Sequence, residues 1–389
     1  METGLSRDEI LNKTSAAFRQ RFGQEPEFGI TSPGRLNVIG EHVDYNGGVV
    51  LPAAIERWIC GCVRANGSGR VRIYDLKYDE AAELSPNDPL SPEKGSWLNY
   101  PKGVFAQFQE RKLRIPGFDL CLYSTIPTGG GLSSSAALEA LFATIIEHLL
   151  GLALEPMEKA LLCQKAEHQY AGVPCGIMDQ AAVILGTSQH LLKLDCRDLS
   201  VSQVPFQSNE VALMIVDSGV HHELANGEYK NRRDACEKAC TELKVKSLRD
   251  ATREQIETLA FSEPKIRDRA WHVVSEIERT DSMIAALQAG DFVLAGKLLQ
   301  QSHHSLQYDF EVSCPELDYL TSLCNAQPGV YGSRMMGGGF GGAALVLLDK
   351  AVAADVASLA ETSYFRNFGI RATAFMTSPA QGVVLERFS

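Results

Sequence analysis

The sequence predicts an α+β protein of about two domains, and three observations carry that prediction. Its 389 residues are enough for two cores of ordinary size. Short β-branched runs broken by Gly and Pro give way repeatedly to long helical stretches. Between two apolar halves Asp195 to Val204 turns polar, which sets the divide near residues 195–205 and the domains at 1–200 and 201–389.

In order along the chain, Ser6-Arg7-Asp8-Glu9 is a capping box that starts a helix with Leu11, Phe18 and Phe22 on one face and Gly23 as its stop. Val49–Leu51, Ile59–Val63 and Val71–Tyr74 read as strands of a mixed or antiparallel sheet. Asp79 to Lys94, polar and with three prolines, reads as a surface loop. A strand at Phe118–Ile126 leads through Pro127–Ser135 into a helix from Ala136 to about Leu150, apolar nearly all round and therefore buried. Helical patterns follow at Met157–Tyr170 and from Cys175 to near Gly186. Strand signals return at Leu191–Leu194 and Val211–Val216, Glu228–Gln300 is helical, and Ala343–Leu348 is one more buried strand. No repeat and no low-complexity segment is visible.

Composition narrows the function. There are 37 Lys and Arg against 48 Asp and Glu, a net charge of −11, which argues against a nucleic-acid partner or an anionic membrane surface. With 45% hydrophobic and 22% charged residues the chain is globular rather than disordered or fibrous. The most apolar region, Ala136 to Leu154, is broken by Glu139, Glu147 and His148, short of the roughly 18–20 apolar residues of a membrane span. Met1-Glu2-Thr3-Gly4 lacks the basic start and apolar run of a secretory signal. Ten scattered cysteines read as reduced core thiols of a cytoplasmic protein. Cys236 and Cys240 have helical spacing, but no second Cys/His pair of zinc spacing stands nearby, so no structural zinc is expected. A monomer acting on small molecules is expected.

The sharpest chemical signal is Gly129-Gly130-Gly131-Leu132-Ser133-Ser134-Ser135. Glycines let the backbone approach a ligand, and serines supply a cap and hydroxyls where a helix begins, so free N–H groups and the helix dipole converge on one spot. Such a spot holds an anion, most often phosphate; the plainer alternative is a turn with a capping serine. No Gly-Lys-Ser/Thr follows, so this is not a Walker loop and some other cation must neutralise a nucleotide. Gly337–Gly342 contains G-x-G-x-x-G, yet the apolar strand follows it, whereas a dinucleotide fingerprint needs a strand before and a helix after. A tight crossing or a loop lining a cleft is expected instead.

Pro33 to Asn46 packs Arg35, Asn37, Glu41, His42, Asp44, Tyr45 and Asn46 onto what reads as a short loop. That density suits a sugar or phosphate pocket, where each ligand hydroxyl needs a donor and an acceptor, and a solvated surface loop is the alternative. His42 taken alone reads as a hydrogen-bonded structural residue. Asp179 reads as either a helix-dipole partner, one turn inside its helix, or a partly buried general base or anchor. Glu167, on the preceding helix, could reach the same cleft and help hold a divalent cation among oxygens. His221-His222 and His303-His304 read as surface or core residues.

Gly34-Arg35-Leu36-Asn37-Val38-Ile39-Gly40-Glu41-His42-Val43-Asp44-Tyr45 resembles the galactokinase signature. Gly129–Ala136 resembles the phosphate loop of the wider GHMP small-molecule kinase superfamily, and Gly337–Gly342 its third glycine motif. Cys175–Gln180 and Asn226–Tyr229 also resemble galactokinase segments. The resemblance runs from about residue 10 to 385. It implies the two-domain GHMP kinase fold: an N-terminal mixed-sheet α/β domain, a C-terminal α+β domain and an active site in the cleft between. It also implies ATP-dependent phosphorylation of the anomeric hydroxyl of galactose, with ATP as co-substrate and Mg2+ as cofactor.

Position by position, the resemblance puts the catalytic aspartate at Asp179 and a transition-state arginine at Arg35. It puts sugar-binding positions at Glu41, His42, Asp44 and Tyr229, the triphosphate loop at Gly129, Gly130, Gly131, Leu132, Ser133, Ser134 and Ser135, and magnesium ligands at Ser135 and Glu167. A carboxylate beside an arginine is a weak base, so orienting the hydroxyl is expected to count beside taking its proton. Val43 stands where galactokinases usually carry Thr and N-acetylgalactosamine kinases an apolar residue, which leaves the preference at the sugar's 2-position open. Met336 replaces a usual Thr and removes a hydroxyl near the cleft. The alternatives are a kinase of another sugar, such as N-acetylgalactosamine or arabinose, and a non-catalytic galactose- and ATP-binding regulator. Regulators of that kind lack part of the Ser-Ser-Ser-Ala end of the loop, and Ser133–Ala136, Arg35 and Asp179 are all present here.

Overall fold

A computed structural model describes residues 5–127, 129–206, 209–221 and 225–388 of the chain. Met1 to Gly4, Thr128 beside the glycine/serine loop, and His222 lie outside the described residues. The first half runs α1 (Arg7–Phe22), β1 (Phe28–Asn37), β2 (Val49–Val50), β3 (Pro52–Ala65), β4 (Val71–Asp75), β5 (Glu80–Leu84), α2 (Asn99–Glu110), β6 (Phe118–Ser124) and α3 (Ser134–Leu149). Then come α4 (Pro156–Ala166), a π-helical turn (Glu167–Ala171), α5 (Met178–Leu185), β7 (His190–Asp195), β8 (Val201–Pro205) and β9 (Val211–His221). The rest is α6 (Ala225–Leu243), α7 (Arg253–Thr258), α8 (Pro264–Ala289), α9 (Phe292–Tyr308), α10 (Pro315–Asn325), the hairpin β10 (Val330–Met336) and β11 (Gly341–Asp349), α11 (Ala353–Phe368), β12 (Thr373–Thr377) and β13 (Val384–Glu386).

Among the described residues, one mixed sheet has the order β13-β1-β3-β6-β4-β5, with β4 and β6 parallel and the other pairs antiparallel. Its alternation places Cys60 and Cys62 on one face, with Cys121 opposite Cys62. Ile10 and Leu11 of α1 cover Cys60, and Phe18 covers Cys62 and Cys121. α1 starts where the sequence places it: the Ser6 hydroxyl accepts from the Glu9 N–H and the Glu9 carboxylate accepts from the Ser6 N–H. α3 is buried at every position from Ala136 to Ile146, as its unbroken apolar pattern requires. A second sheet, β10-β11-β9-β12, is antiparallel, and β2-β7-β8 forms a third.

Several expectations are corrected. Residues 79–94 are not all loop, because β5 pairs with β4. α2 gave no periodic signal, since it contains Pro101 and Gly103. Proline is tolerated in a helix's first turn, and a Cβ on Gly103 would sit 2.8 Å from the Ala166 carbonyl, so the glycine lets α2 approach α4 closely. The polar stretch 195–204 is the turn and second strand of the β7–β8 hairpin, so a cut between 200 and 201 runs through that hairpin. The chain's last strand, β13, returns to β1, and one apolar cluster runs from Phe28 and Leu120 through Leu213 and Met283 to Leu345. All ten cysteines are free. Among the described residues no group of three or more His, Cys, Asp and Glu is placed to hold a metal, and no helix is long and apolar enough to cross a membrane.

Candidate active site

Arg35 lies in β1, not on a loop. The pairing of β1 with β3 shifts register between Pro33 and Arg35, and such a bulge re-aims the side chains next to it. Its guanidinium is buried and forks onto Asp179, with Nε to Oδ1 at 2.7 Å and Nη2 to Oδ2 at 2.8 Å, while Nη1 donates to the Gly131 carbonyl. Burial opposes the Arg35 charge, but Asp179, Glu41 and Asp44 outweigh it and hold its pKa above the ordinary value. Asp179 stands in the first turn of α5, nearer the helix start than its sequence position implied, and its side chain keeps 25% of its exposure.

Ser133 precedes α3 with left-handed backbone, φ 56° and ψ 50°, and its hydroxyl caps no helical N–H. Instead it donates to Asp179 Oδ2. The hydroxyl that stands at the cap position meets the carboxylate instead, and strained backbone of this kind concentrates at functional sites. Leu132 is buried, its carbonyl accepting the Arg35 N–H at 3.1 Å. Gly131 lies against the backbones of Met336 and Gly342, so the second and third glycine motifs abut. The third is the turn between β10 and β11, with a strand on each side, which bars a dinucleotide-binding arrangement. Gly129 is exposed, Gly130 packs beside Asp217, and Ser134 opens α3, outside the cavity described next.

A cavity of about 210 Å³ is lined by Arg35, Glu41, His42, Asp44, Asp179 and Tyr229 and roofed by Gly337–Phe340. His42 has φ 62°. Its Nε2–H donates to the Gly338 carbonyl at 3.2 Å, which leaves Nδ1 to accept from the Tyr45 hydroxyl at 2.9 Å. Burial drives its pKa down to about 3, with His272 adding repulsion, so the ring is neutral. Both partners of Glu41 fall on Oε1: the buried Arg334 at 2.8 Å and the Gly337 N–H at 2.9 Å. Arg334 also holds the Asn37 and Val38 carbonyls, and α8 holds Gly40 through Glu276 and the Glu41 carbonyl through His272. Burial pushes Asp44 up to about 7, and the Asp179 and Glu41 carboxylates push the same way. Tyr229 of α6 packs on the His42 and Tyr45 rings.

Ser135 lies beside Glu167, whose carboxylate burial and Asp179 push up to about 7. Glu167 begins the π-helical turn after α4, a feature common at functional sites. A hydroxyl and a carboxylate beside a glycine/serine loop are hard oxygen donors. They fit Mg2+, which takes one or two protein ligands and fills its shell with phosphate and water.

Val43 is fully buried and does not line the cavity; it belongs to the apolar cluster of Val50, Ile177 and Met178 and lies against Gly48. Met336 is fully buried with its sulfur 3.3 Å from the Asn37 N–H. His303 is a core residue bonded to Thr321, and His304 stacks on Tyr308. The sequence reading missed Arg334 and Gln180; a charged residue inside the apolar strand β10 was the available signal for the first. A wider groove of about 1010 Å³, lined by Trp58, Phe375 and Lys350 among others, touches none of the site residues.

Residues 16–65 match the galactokinase galactose-binding signature, 99–187 the GHMP kinases N terminal domain and 283–364 the GHMP kinases C terminal. The galactokinase of Bos taurus is 41% identical, with 98% of this chain and 97% of that protein aligned, and that of Homo sapiens is 42% identical over 96% of each. The crystal structure of Lactococcus lactis galactokinase complexed with galactose matches at a TM-score of 0.91 and 31% identity, covering 96% of this chain and 99% of that one. Methanococcus jannaschii mevalonate kinase, at 15% identity and a TM-score of 0.62 over 91% of this chain and 98% of that one, shares the fold alone. With its sugar-signature segment and glycine/serine loop meeting at Asp179, its third glycine turn packed against both, and this similarity along its length, the chain belongs to the galactokinase family of the GHMP kinases.

Proposed function

We propose that this protein transfers the γ-phosphoryl group of ATP to the anomeric hydroxyl of galactose, giving galactose 1-phosphate and ADP. The observation that carries the reading is the Asp179 carboxylate, which opens onto the polar cavity and is held both by Arg35 and by Ser133 of the glycine/serine loop. A sugar hydroxyl on Asp179 therefore lies next to the loop that would cradle the phosphates. Phosphoryl transfer asks a protein chiefly for such positioning and for charge neutralisation. Asp179 orients the hydroxyl and accepts its proton, and Arg35 meets the negative charge of the transferring group. Glu41, Asp44 and Tyr229 bind the ring hydroxyls, and His42, whose two ring nitrogens are held by Gly338 and Tyr45, shapes the sugar pocket beside them. Ser135 and Glu167 would hold Mg2+, which supplies charge neutralisation to the phosphates when bound.

The packing of Val43 outside the cavity lining supports galactose over N-acetylgalactosamine, because that position adds no apolar surface to the cavity. Free thiols and the acidic charge support a cytoplasmic protein, and we read it as a monomer acting without nucleic acid or membrane, for which light scattering is the check. ADP release with galactose, N-acetylgalactosamine, glucose, arabinose and mevalonate tests the substrate. Turnover with galactose at least about tenfold above the rest is expected. A different preferred sugar would move the substrate and keep the chemistry, and galactose binding without turnover would make the chain a regulator.

Three further outcomes follow from the geometry. A Cβ on Gly176 would lie 1.7 Å from Asp44 Oδ2, so Gly176→Ala must displace that carboxylate and should weaken galactose binding at least about tenfold, measured by calorimetry. Asp44 keeps its proton below about 7 and is a fully charged acceptor only above it. Galactose affinity should therefore be strongest above that value and fall as the pH drops through it, and Asp44→Asn should flatten the profile. Ser135→Ala should raise the magnesium needed for half-maximal turnover; an unchanged titration would remove Ser135 from the cation site.

A further inference from the structure

We propose that Gln180 is a positioning residue: its carboxamide, anchored on Glu139, aims the Glu167 carboxylate at Ser135, where the cation of the nucleotide would sit. The inference rests on the function proposed above and concerns Glu167, which lines the cavity, and two residues, Gln180 and Glu139, that lie behind it.

Gln180 follows Asp179 on α5 and is fully buried. Its Nε2 donates to Glu167 Oε2 at 2.6 Å and to Glu139 Oε2 at 3.2 Å, which uses both amide hydrogens. Glu139 is also fully buried and lies four residues after Ser135 on α3, on the same helical face. Ser135 lies beside the same Glu167. Gln180, bonded to Glu139 and to Glu167, thus ties α3, the π-helical turn after α4, and α5 together.

The chemistry of the bridge is selective. A glutamine in the reverse orientation would point its oxygen at two carboxylates, so the pair of glutamates fixes which way the amide faces. A lysine there would bring a competing positive charge, and a glutamate would add a third acceptor. Among the described residues Glu139 Oε1 and Gln180 Oε1 have no partner, although both are buried. Unpaired buried oxygens are uncommon, and each needs a reason. The reason here is the orientation of Glu167. Because Gln180 is the neighbour of Asp179, one helix sets both the group facing the sugar and the group facing the cation.

The test uses the full-length protein with Gln180→Leu, which removes both donors, and Gln180→Asn, which keeps an amide too short to reach both carboxylates. Mn2+ binding to the protein with ADP is titrated by electron paramagnetic resonance, and galactose binding is measured without nucleotide by calorimetry. The expected result is an Mn2+ dissociation constant raised at least about tenfold in both variants, with galactose affinity and galactose KM within about twofold of wild type. Unchanged Mn2+ affinity would overturn the proposal. So would loss of galactose and Mn2+ binding together, or failure of both variants to fold, since each makes Gln180 a packing residue. The manganese titration needs no turnover, so a wild-type protein inactive on galactose would sink the proposed function and leave this measurement standing.

Discussion

Asp179→Asn is expected to lower turnover about 10³-fold, within the range that positioned acid–base groups supply, while ATP affinity stays within a few-fold. The substitution removes the carboxylate that Arg35 and Ser133 share at the edge of the cavity. Asparagine keeps the shape and one acceptor oxygen, so Arg35 retains part of its fork as well as the Gly131 carbonyl, and the fold should persist. The loop backbone that would meet the phosphates is unchanged. Single-turnover ADP release measures the chemical step, and nucleotide calorimetry measures the affinity. Normal turnover in this variant would end the assignment of Asp179.

Arg35→Lys is expected to cost about 10² to 10³ in kcat, the usual loss when one preorganised donor at a developing charge is removed. Lysine keeps the charge but is a point donor. It cannot bond both Asp179 oxygens and the Gly131 carbonyl in the planar geometry that the guanidinium satisfies. The loss should fall on kcat, with galactose affinity changed little, because Glu41, His42, Asp44 and Tyr229 keep their places. Steady-state kinetics with varied galactose separates the two. A lysine variant within threefold of wild type would take the arginine's fork out of the mechanism.

The contrast between Ser133 and Arg334 shows how far the sequence reaches into this site. Ser133 was legible as part of a glycine/serine loop before a buried helix, but not as a partner of Asp179. Its contact is with a carboxylate 46 residues away, and no local rule supplies such a partner. Arg334 was passed over, although its guanidinium fastens the sugar loop through Asn37, Val38 and Glu41, almost 300 positions earlier in the chain. Val43 drew attention as a departure from the family's usual residue, and the structure packs it into an apolar cluster rather than into the cavity lining.

What the sequence determined alone was whatever depends on near neighbours. That includes the capping box at Ser6, the strand that carries Cys60 and Cys62, the all-apolar α3, and three glycine-bearing motifs, one of which reads as an anion-binding loop and one as a dense polar segment. What only the tertiary structure decided was which of these meet. The fork of Arg35 on Asp179, the clamp of Arg334 on Glu41 and the bridge of Gln180 between Glu139 and Glu167 each join distant segments. Their physical reason is common to all three: a buried charge or amide must find a partner, and that partner is supplied by whichever segment the packing of the core brings alongside.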